Sequence, residues 1–375
     1  MYFNLNIDYK MIKNTELIIF IPSIEGGGVE KNLFIISNFL SSKFKKVKFI
    51  TSSSGFKKLN KNIEIVNIKF LGSLISSRFL KIILSSILLS FQLIKNKNVI
   101  VLSFQANIFA ILISSIFNTK IVARLNSSPT GWVKNEFKKK LFKKIYSLAN
   151  LIIVNSNDFR RELLVKFRIK SYCIFNPLDK KNIIKKSKIK LNKSPYKFNN
   201  SLKIINIGRL VDQKDHLTLL KSINLLKKKL KIELLIIGQG EKKIELEKYI
   251  EKNSLEKIVK ILDFKKNPYP FIRSSDLFIL SSKYEGLPNV ILEAVVLKKF
   301  VISSDCPTGP KEILDNGKGG TLFKTGSYKD LSKKILEYTK NKKFKEKTNF
   351  AYKSLSKYDY KKNLNKYFNK LIEVN

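Results

Sequence analysis

Residues 281–294, SSKYEGLPNVILEA, are the most informative segment of this chain. The run that leads into it, Asp276–Leu280, is short, apolar and bounded by polar residues, which predicts a buried strand. Pro288 suits the first turn of a following helix, where its missing N–H would have no partner. The stretch therefore predicts a strand, a loop and a helix N-terminus, which together present amides and a partial positive charge to a phosphate.

Two carboxylates flank this predicted phosphate site. Glu285 lies at the end of the strand, and Glu293 lies about one and a half turns into the helix. Carboxylates repel phosphate but accept hydrogen bonds from hydroxyl groups, so the two glutamates suit polyols on either side of a phosphate. A nucleotide sugar has this arrangement. The alternative is a pair of ordinary surface glutamates beside a turn, and this motif alone does not separate the two interpretations.

A second predicted strand–helix unit, residues 204–215, favours the same ligand. It places Arg209 and Lys214 at the carboxyl end of its strand, and ligands collect outside the carboxyl ends of strands in open α/β sheets. Arginine and lysine together could hold a diphosphate without a metal. Because lysine is abundant throughout, the more selective residue is Arg209, one of seven arginines among 73 basic residues.

These motifs resemble those of the retaining glycosyltransferases of family 4, a group of glycosyl transferases with the GT-B fold. The resemblance spans nearly the whole chain. In chain order it rests on Gly26-Gly27-Gly28-Val29-Glu30, Asn155-Ser156, 175–179 (FNPLD), Gly208-Arg209, Lys214, 236–241 (IIGQGE), Glu285, Glu293 and 304–314 (SDCPTGPKEIL). The last segment resembles a branch that adds hexoses or N-acetylhexosamines to lipopolysaccharide cores, capsular chains or lipid-linked oligosaccharides.

The resemblance implies an α/β fold of the GT-B type, with two Rossmann-like domains whose parallel sheets face each other across a cleft. Strands that alternate with helices along the sequence independently predict parallel sheets covered on both faces. The expected domains are an acceptor-side domain (1–180), a lysine-rich, aperiodic linker (181–200), a nucleotide-sugar-binding domain (201–357) and a final helix that crosses back to the first domain (358–375).

The resemblance also implies roles for the donor-site residues. Arg209 and Lys214 would neutralise the leaving diphosphate, and Glu285 would accept hydrogen bonds from the transferred sugar; these three are the implied catalytic residues. Glu293 would accept from the ribose hydroxyls. The other implied donor-binding residues are Gly27, Gly28, Gly286, Leu287, Pro288 and Asn289. Retention in this family is usually explained by front-face attack, so no protein nucleophile is assigned.

The acceptor side departs from the family pattern. Many relatives carry a histidine in the first domain close to the sugar, whereas the single histidine here, His216, lies in the second domain. We interpret His216 as a helix-surface or cap-neighbouring residue. Arg124 or Asn126 is expected to occupy the acceptor-side position instead.

No metal or other cofactor is expected. The chain contains no Asp-x-Asp motif and no His/Cys cluster, and Cys173 and Cys306 lie far apart without metal-ligand spacing, as in a reducing compartment. The nucleoside-diphosphate sugar is therefore a substrate, with UDP as the expected nucleotide.

Two other function classes remain as alternatives. A nucleic-acid-binding protein would explain the net charge of +44, but lysine is spread along the chain rather than confined to one stripe, so no nucleic-acid partner is expected. A nicotinamide-dependent Rossmann oxidoreductase would explain the glycines at 26–28, but it needs Gly-x-Gly-x-x-Gly, which is absent there.

The chain is expected in the cytoplasm, bound peripherally to the anionic inner surface of the membrane, where a glycan or polyprenyl-linked acceptor would be presented. Residues 82–94 and 108–117 are too short to span a bilayer and are predicted as core helices. The first ten residues do not resemble a signal peptide, and Met11 could be the functional start.

A basic segment, residues 136–148, has two possible interpretations. Phe137, Leu141, Ile145 and Leu148 fall on one predicted helix face, and lysines fill the rest. Such a helix either lies on anionic lipid or packs its apolar stripe against the domain core.

Overall fold

A computed structural model describes residues 15–24, 28–53, 59–67, 77–131, 133, 135–340 and 344–375. The chain forms two compact units: unit 1 contains Met1–Pro177 and Tyr360–Asn375, and unit 2 contains Leu178–Asp359. The boundaries predicted from the sequence were residue 180 for the first domain and residue 358 for the returning helix. The segments Met1–Lys10 and Met11, as well as Gly26 and Gly27, lie outside the described residues.

Unit 1 is built on a parallel sheet whose seven described strands follow the order β3-β2-β1-β4-β5-β6-β7. The strands are β1 (Glu16–Phe20), β2 (Lys46–Ile50), β3 (Ile63–Val66), β4 (Val99–Ser103), β5 (Lys120–Arg124), β6 (Leu151–Val154) and β7 (Tyr172–Cys173). The described helices are α1 (Gly28–Leu40), α2 (Arg78–Lys95), α3 (Asn107–Ile116), α4 (Glu136–Tyr146), α5 (Asn157–Phe167) and the last helix of the chain, α14 (Tyr360–Val374).

The strands of this sheet are buried on both faces, because alternate side chains supply two separate cores. Leu17 and Ile19 of β1 pack with α1 and α14. Ile18 and Phe20 of the same strand pack with α2 to α5 on the other face. Continuous apolar strands are typical of parallel sheets covered on both sides.

Unit 2 has a parallel sheet whose six described strands follow the order β10-β9-β8-β11-β12-β13. The strands are β8 (Leu202–Ile207), β9 (Ile232–Ile237), β10 (Val259–Leu262), β11 (Leu277–Leu280), β12 (Phe300–Ser304) and β13 (Thr321–Phe323). The described helices are α6 (Lys180–Ser187), α7 (His216–Leu226), α8 (Lys243–Lys252), α9 (Tyr269–Arg273), α10 (Asn289–Val296), α11 (Pro310–Ile313), α12 (Tyr328–Lys340) and α13 (Phe344–Ser354). These two parallel α/β sheets confirm the predicted fold class.

The expected linker, which was predicted to be aperiodic, contains most of helix α6. Helix α6 packs against α9 and α10 of unit 2, and its N-terminus is capped by the Asp179 side chain, which accepts from Asn182 N at 3.0 Å. Only Ile183 and Ser187 are buried. Two buried positions among lysines give too weak a periodicity to recognise.

Two helices predicted as core helices contribute to the core through one side only. Helix α2 buries only Ser85, Leu89 and Leu93 among its 18 residues. Helix α3 likewise leaves large apolar side chains exposed. None of the helices in the described part of the chain combines the length and apolar content of a membrane span.

Candidate functional site

The site predicted in unit 2 lies at the carboxyl edge of its sheet. Strand β8 is flanked by β9 on one side and by β11 on the other, so the strand order reverses at this point. Ligands of open α/β sheets bind at such a reversal. The loops that follow β8 (208–215), β9 (238–242), β11 (281–288) and β12 (305–309) all emerge at this edge.

The structure brings Lys214 and Glu285 into direct contact at this edge. Lys214 Nζ lies 2.5 Å from Glu285 Oε1, and the two side chains are 16% and 8% exposed. A Cβ added to Gly208 would lie 3.5 Å from the Lys214 side chain, so the lysine extends over the end of β8. A short, partly buried ion pair of this kind fixes the position of the ammonium group.

Hydrogen bonds to backbone oxygens hold the β8 and β11 loops together. Ser281 Oγ donates to Lys214 O at 2.9 Å, Gln213 Nε2 donates to Tyr284 O at 2.8 Å, and Lys283 N donates to Gln213 O at 2.8 Å. The two motifs singled out in the sequence, separated by 71 residues, therefore form one surface.

The segment 304–314 supports the Glu285 loop from the other side. Thr308 Oγ1 donates to the backbone oxygen of Glu285, and Glu285 N donates to Pro307 O at 3.3 Å. Gly309 has φ +86°, and a Cβ there would lie 2.3 Å from Gly286 O. Only glycine fits this conformation and this close approach, which explains why the 304–314 motif has glycine at position 309.

Cys306 in the same segment is a buried, neutral group. Burial, together with the nearby negative charge of Glu285, raises the pKa of the Cys306 thiol to about 12. The thiol is therefore protonated at neutral pH and is not a nucleophile of the site.

The second carboxylate, Glu293, lies on α10 and is buried. Tyr269 Oη donates to Glu293 Oε1 at 3.5 Å. Helix α10 begins at Asn289. Pro288, predicted for the first turn, is the extended residue just before the helix (φ −71°, ψ 103°) and provides no side-chain cap. Gly286, Leu287 and Pro288 are buried in the preceding loop. Glu285 and Glu293 thus flank a helix N-terminus, as the motif predicted.

Arg209 follows Gly208 at the end of β8 and is exposed. Its loop is supported by the β9 loop: Leu210 N donates to Gln239 O at 2.9 Å. A Cβ on Gly238 would lie 1.9 Å from Gly208 O, and a Cβ on Gly240 (φ +155°) would lie 2.4 Å from Leu210 O. The glycines of the 236–241 motif therefore allow this close backbone contact, which presents Arg209 at the edge.

The residues predicted in unit 1 are less accessible. Arg124 is completely buried, and its Nε donates to Tyr367 Oη at 2.7 Å while its Nη2 donates to Asn176 Oδ1 at 2.7 Å. Asn126 Nδ2 donates to Phe104 O at 2.7 Å. Arg124 cannot contact an acceptor in this geometry, because Tyr367 of α14 and Asn176, which follows β7, enclose its guanidinium within unit 1.

The glycines of the first motif are only partly described. Gly28 is the exposed first residue of α1, and Asn32 Nδ2 donates to its backbone oxygen at 3.1 Å. Gly27 lies outside the described residues.

His216 is buried, so it is not a helix-surface residue; the other interpretation, a cap-neighbouring residue, is confirmed. It is the first residue of α7, capped by Asp215, whose side chain accepts from Thr218 N at 3.3 Å. Burial lowers the pKa of His216 to about 4, and the positive charge of Lys214 contributes in the same direction. His216 is therefore neutral at physiological pH. A single polar residue inside an apolar helix face leaves no sequence signal that separates buried from exposed.

Within the described part of the chain, no group of three or more His, Cys, Asp or Glu side chains is arranged to hold a metal ion. The positive charge at the candidate site is supplied by Arg209, Lys214 and the N-terminus of α10.

Comparison with known proteins finds similar glycosyltransferases. The model of the family "Glycosyl transferases group 1" matches residues 187–355. An uncharacterized glycosyltransferase of Methanocaldococcus jannaschii is 34% identical over 218 residues, which cover 54% of this chain and 53% of the relative.

A second relative is the N-acetylgalactosamine-N,N'-diacetylbacillosaminyl-diphospho-undecaprenol 4-alpha-N-acetylgalactosaminyltransferase of Campylobacter jejuni. It is 28% identical over 256 residues, which cover 66% of this chain and 67% of the relative. The matched regions thus span about half to two-thirds of the length of these two relatives.

Among solved structures, the Anabaena protein HepE in complex with UDP and glucose superposes with a TM-score of 0.78 at 16% identity, covering 95% of this chain and 99% of that one. This likeness concerns the fold, and it extends over both units. The chain therefore has the GT-B fold, and its residues 187–355 match the glycosyl transferases of group 1.

Proposed function

We propose that this protein transfers a hexose or N-acetylhexosamine from a nucleoside-diphosphate sugar, with UDP as the nucleotide, to a glycan or lipid-linked acceptor. The reaction would retain the anomeric configuration and serve the synthesis of a cell-surface polysaccharide or lipopolysaccharide. The observation that carries this proposal is the Lys214–Glu285 pair beside Arg209 at the carboxyl edge of the unit 2 sheet.

The pair provides a pre-positioned cation for the diphosphate. Negative charge builds on the leaving diphosphate as the glycosidic bond breaks, and fixed positive groups at that position stabilise the transition state. Glu285 holds Lys214 Nζ in place before the donor arrives. A bound diphosphate would take over part of that interaction, which would allow Glu285 to accept a hydrogen bond from a hydroxyl of the transferred sugar.

Glu293 would bind the other end of the donor. Its carboxylate lies on the first turns of α10, beyond the helix N-terminus that would meet the phosphates. Carboxylate oxygens accept hydrogen bonds from vicinal hydroxyls, so Glu293 suits the ribose. This order, with Glu285 for the sugar, cations for the diphosphate and Glu293 for the ribose, matches the order of groups in a nucleotide sugar.

The names of the similar proteins support the substrate classes. The Anabaena structure contains UDP and glucose, which supports UDP as the nucleotide. The name of the Campylobacter enzyme specifies a diphospho-undecaprenol acceptor, which supports a lipid-linked acceptor here. A peripheral position on an anionic membrane would bring the chain to such an acceptor, and its net charge of +44 favours that surface.

Thermal unfolding with a panel of ligands tests the proposal. Saturating UDP or a UDP-sugar should raise the melting temperature, because a ligand at 100 times its Kd stabilises the folded state by about 2.7 kcal/mol. The melting-temperature shift with GDP, compared with that with UDP, shows which base is preferred. Stabilisation by NAD would instead support an oxidoreductase, and stabilisation by an oligonucleotide would support a nucleic-acid-binding protein.

A screen of UDP-sugars for slow hydrolysis then identifies the donor sugar, and the anomeric configuration of the first product shows whether it is retained. Activity should persist in excess EDTA, since the protein's own cations would neutralise the diphosphate. An obligate requirement for Mg²⁺ or Mn²⁺ would contradict the proposed diphosphate site.

A further inference from the structure

Helix α2 carries an apolar stripe on its solvent-facing side. The stripe recurs every three or four residues, as a single helix face requires, and each member is between 37% and 63% exposed. The opposite side of the helix is the buried one, and there Ser85 Oγ lies 2.8 Å from Ser52 Oγ in a buried hydrogen bond. The stripe consists of Phe79, Ile83, Ile87, Phe91 and Ile94.

Helix α3 extends this surface. It packs against α2 on one side and against α4 on the other. Its outward side chains Phe109, Leu112 and Ile116 are exposed, Ile116 by 78%. The outer sides of the neighbouring helices α2 and α3 are therefore both apolar. Isolated exposed apolar residues are normal on any protein, but adjacent ones form a patch.

Helix α4, which lies in the basic segment, completes the surface. The helix packs inward through Phe142 and Tyr146. Phe137 is 76% exposed, and Leu141 is also exposed. Of the predicted apolar stripe, Ile145 packs against the core of unit 1, whereas the other three members are exposed. We call the outward apolar side chains of α2, α3 and α4 the outer apolar face.

The charge around this face is almost entirely positive. Helices α2 and α3 contain no acidic residue, and α4 contains only Glu136, which pairs with Lys139 at 2.5 Å. The exposed lysines of α4 stand between and beside the apolar side chains: Lys138, Lys140, Lys143 and Lys144. Apolar side chains beside lysines match the boundary between acyl chains and anionic headgroups.

A second copy of the chain is a poorer match for this face. In a symmetric dimer the same lysines of α4 would meet each other, and a net charge of +44 per chain opposes such association. In unit 2, by contrast, the exposed apolar residues Ile244 on α8 and Phe264 in the loop after β10 each stand between charged neighbours in sequence.

We infer that the outer apolar face inserts into the headgroup–acyl boundary of an anionic bilayer and fixes unit 1 on the membrane. This inference deepens the membrane association of the proposed function, but it does not depend on the transfer reaction. It differs from adsorption by charge alone, because the apolar side chains provide binding that salt does not screen.

Vesicle co-sedimentation of the full chain tests the inference. Vesicles of phosphatidylcholine with about 30% phosphatidylglycerol supply the anionic surface. Binding should weaken but persist at about 0.5 M KCl, since salt screens only the electrostatic share. The double variant Ile87→Gln/Phe91→Gln should bind at least about tenfold more weakly, because two apolar side chains no longer leave water.

The chain offers a matched control for that variant. Ile244→Gln/Phe264→Gln removes similar apolar surface from exposed positions in unit 2, and it should bind vesicles like the wild type. Tryptophan fluorescence gives a second readout: Phe91→Trp should show a blue shift when vesicles are added, beyond the signal of Trp132, the only native tryptophan.

Three outcomes would overturn the inference. They are equal vesicle binding by wild type and Ile87→Gln/Phe91→Gln, complete release of the wild type by salt, and a wild-type dimer in sedimentation velocity that the same variant dissociates. UDP-induced stabilisation should be the same in all of these variants. A failure of the donor site would therefore appear in the UDP measurement and a failure of the membrane face in the vesicle measurement.

Discussion

Two arginines stand at the carboxyl ends of parallel strands, one in each unit, and their surroundings are opposite. Arg124 is the last residue of β5 and is completely enclosed, with Tyr367 and Asn176 as hydrogen-bond acceptors. Arg209 follows β8 and is exposed. A strand end alone therefore does not make a binding residue: the chain segment that packs over the strand end decides whether the side chain meets a ligand.

The covering segment explains the difference. In unit 1, α14 packs on the sheet and places Tyr367 within the same core as β1 and β4. In unit 2, glycines 238 and 240 bring the β9 loop under residues 208–210, which leaves Arg209 at the rim. A buried guanidinium costs several kcal/mol unless it is hydrogen-bonded, so Arg124 is tied to the interior of its unit.

The largest effect should come from removing the enclosed arginine. Arg124→Ala leaves a cavity and deprives Tyr367 and Asn176 of their donor, so the free energy of unfolding should fall by about 3–5 kcal/mol. Urea denaturation measures this change, with Arg160→Ala, an exposed arginine of α5, as the control within about 0.5 kcal/mol of wild type. Wild-type stability with a selective loss of acceptor use would instead restore the acceptor role predicted from sequence.

A smaller effect of a different kind is expected at the exposed arginine. Arg209→Ala and Glu293→Gln should keep wild-type folding but weaken donor binding or turnover, each by about 1.5–3 kcal/mol, or roughly ten- to a hundredfold. Turnover at subsaturating donor and UDP-induced melting shifts measure this. The control is Arg273→Ala, an exposed arginine at the other end of β11. Wild-type turnover in both site variants would show that Arg209 and Glu293 do not bind the donor.

The smallest effect concerns His216, which is buried near the carboxyl edge of the unit 2 sheet. Because burial lowers the pKa of His216 to about 4, the unfolded chain binds its proton more readily, with a pKa near 6.5. The stability contributed by the neutral histidine is complete above pH 6.5 and declines as pH falls toward 4. Between pH 7 and pH 5.5 the loss should be about 1 kcal/mol.

Comparison of His216→Asn with the wild type isolates this contribution. His216 is the only histidine in the chain, so the variant should lose less stability than the wild type over the same pH interval. An identical decline in both proteins would mean that His216 titrates normally and that the edge of unit 2 is open to water at this point.

Much of this molecule was determined by local sequence. Short apolar runs that alternate with helical segments predicted two parallel α/β sheets, and the fold prediction is confirmed by the GT-B likeness over both units. The motif spacing also predicted that Glu285 and Glu293 flank a helix N-terminus and that Arg209 follows a strand. These properties depend on residues within a few turns of each other, so periodicity and turn chemistry are sufficient to predict them.

Only the tertiary structure decided which side chains are available. The ion pair of Lys214 joins residues 71 positions apart, and Arg124 is enclosed by a tyrosine 243 positions away. Residues 82–94 were predicted as a core helix, yet the apolar stripe of α2 points away from the sheet because Leu89 and Leu93 on the other side make the core contact. Local patterns show that a face is apolar or that a residue is charged, but burial depends on distant segments that pack against it.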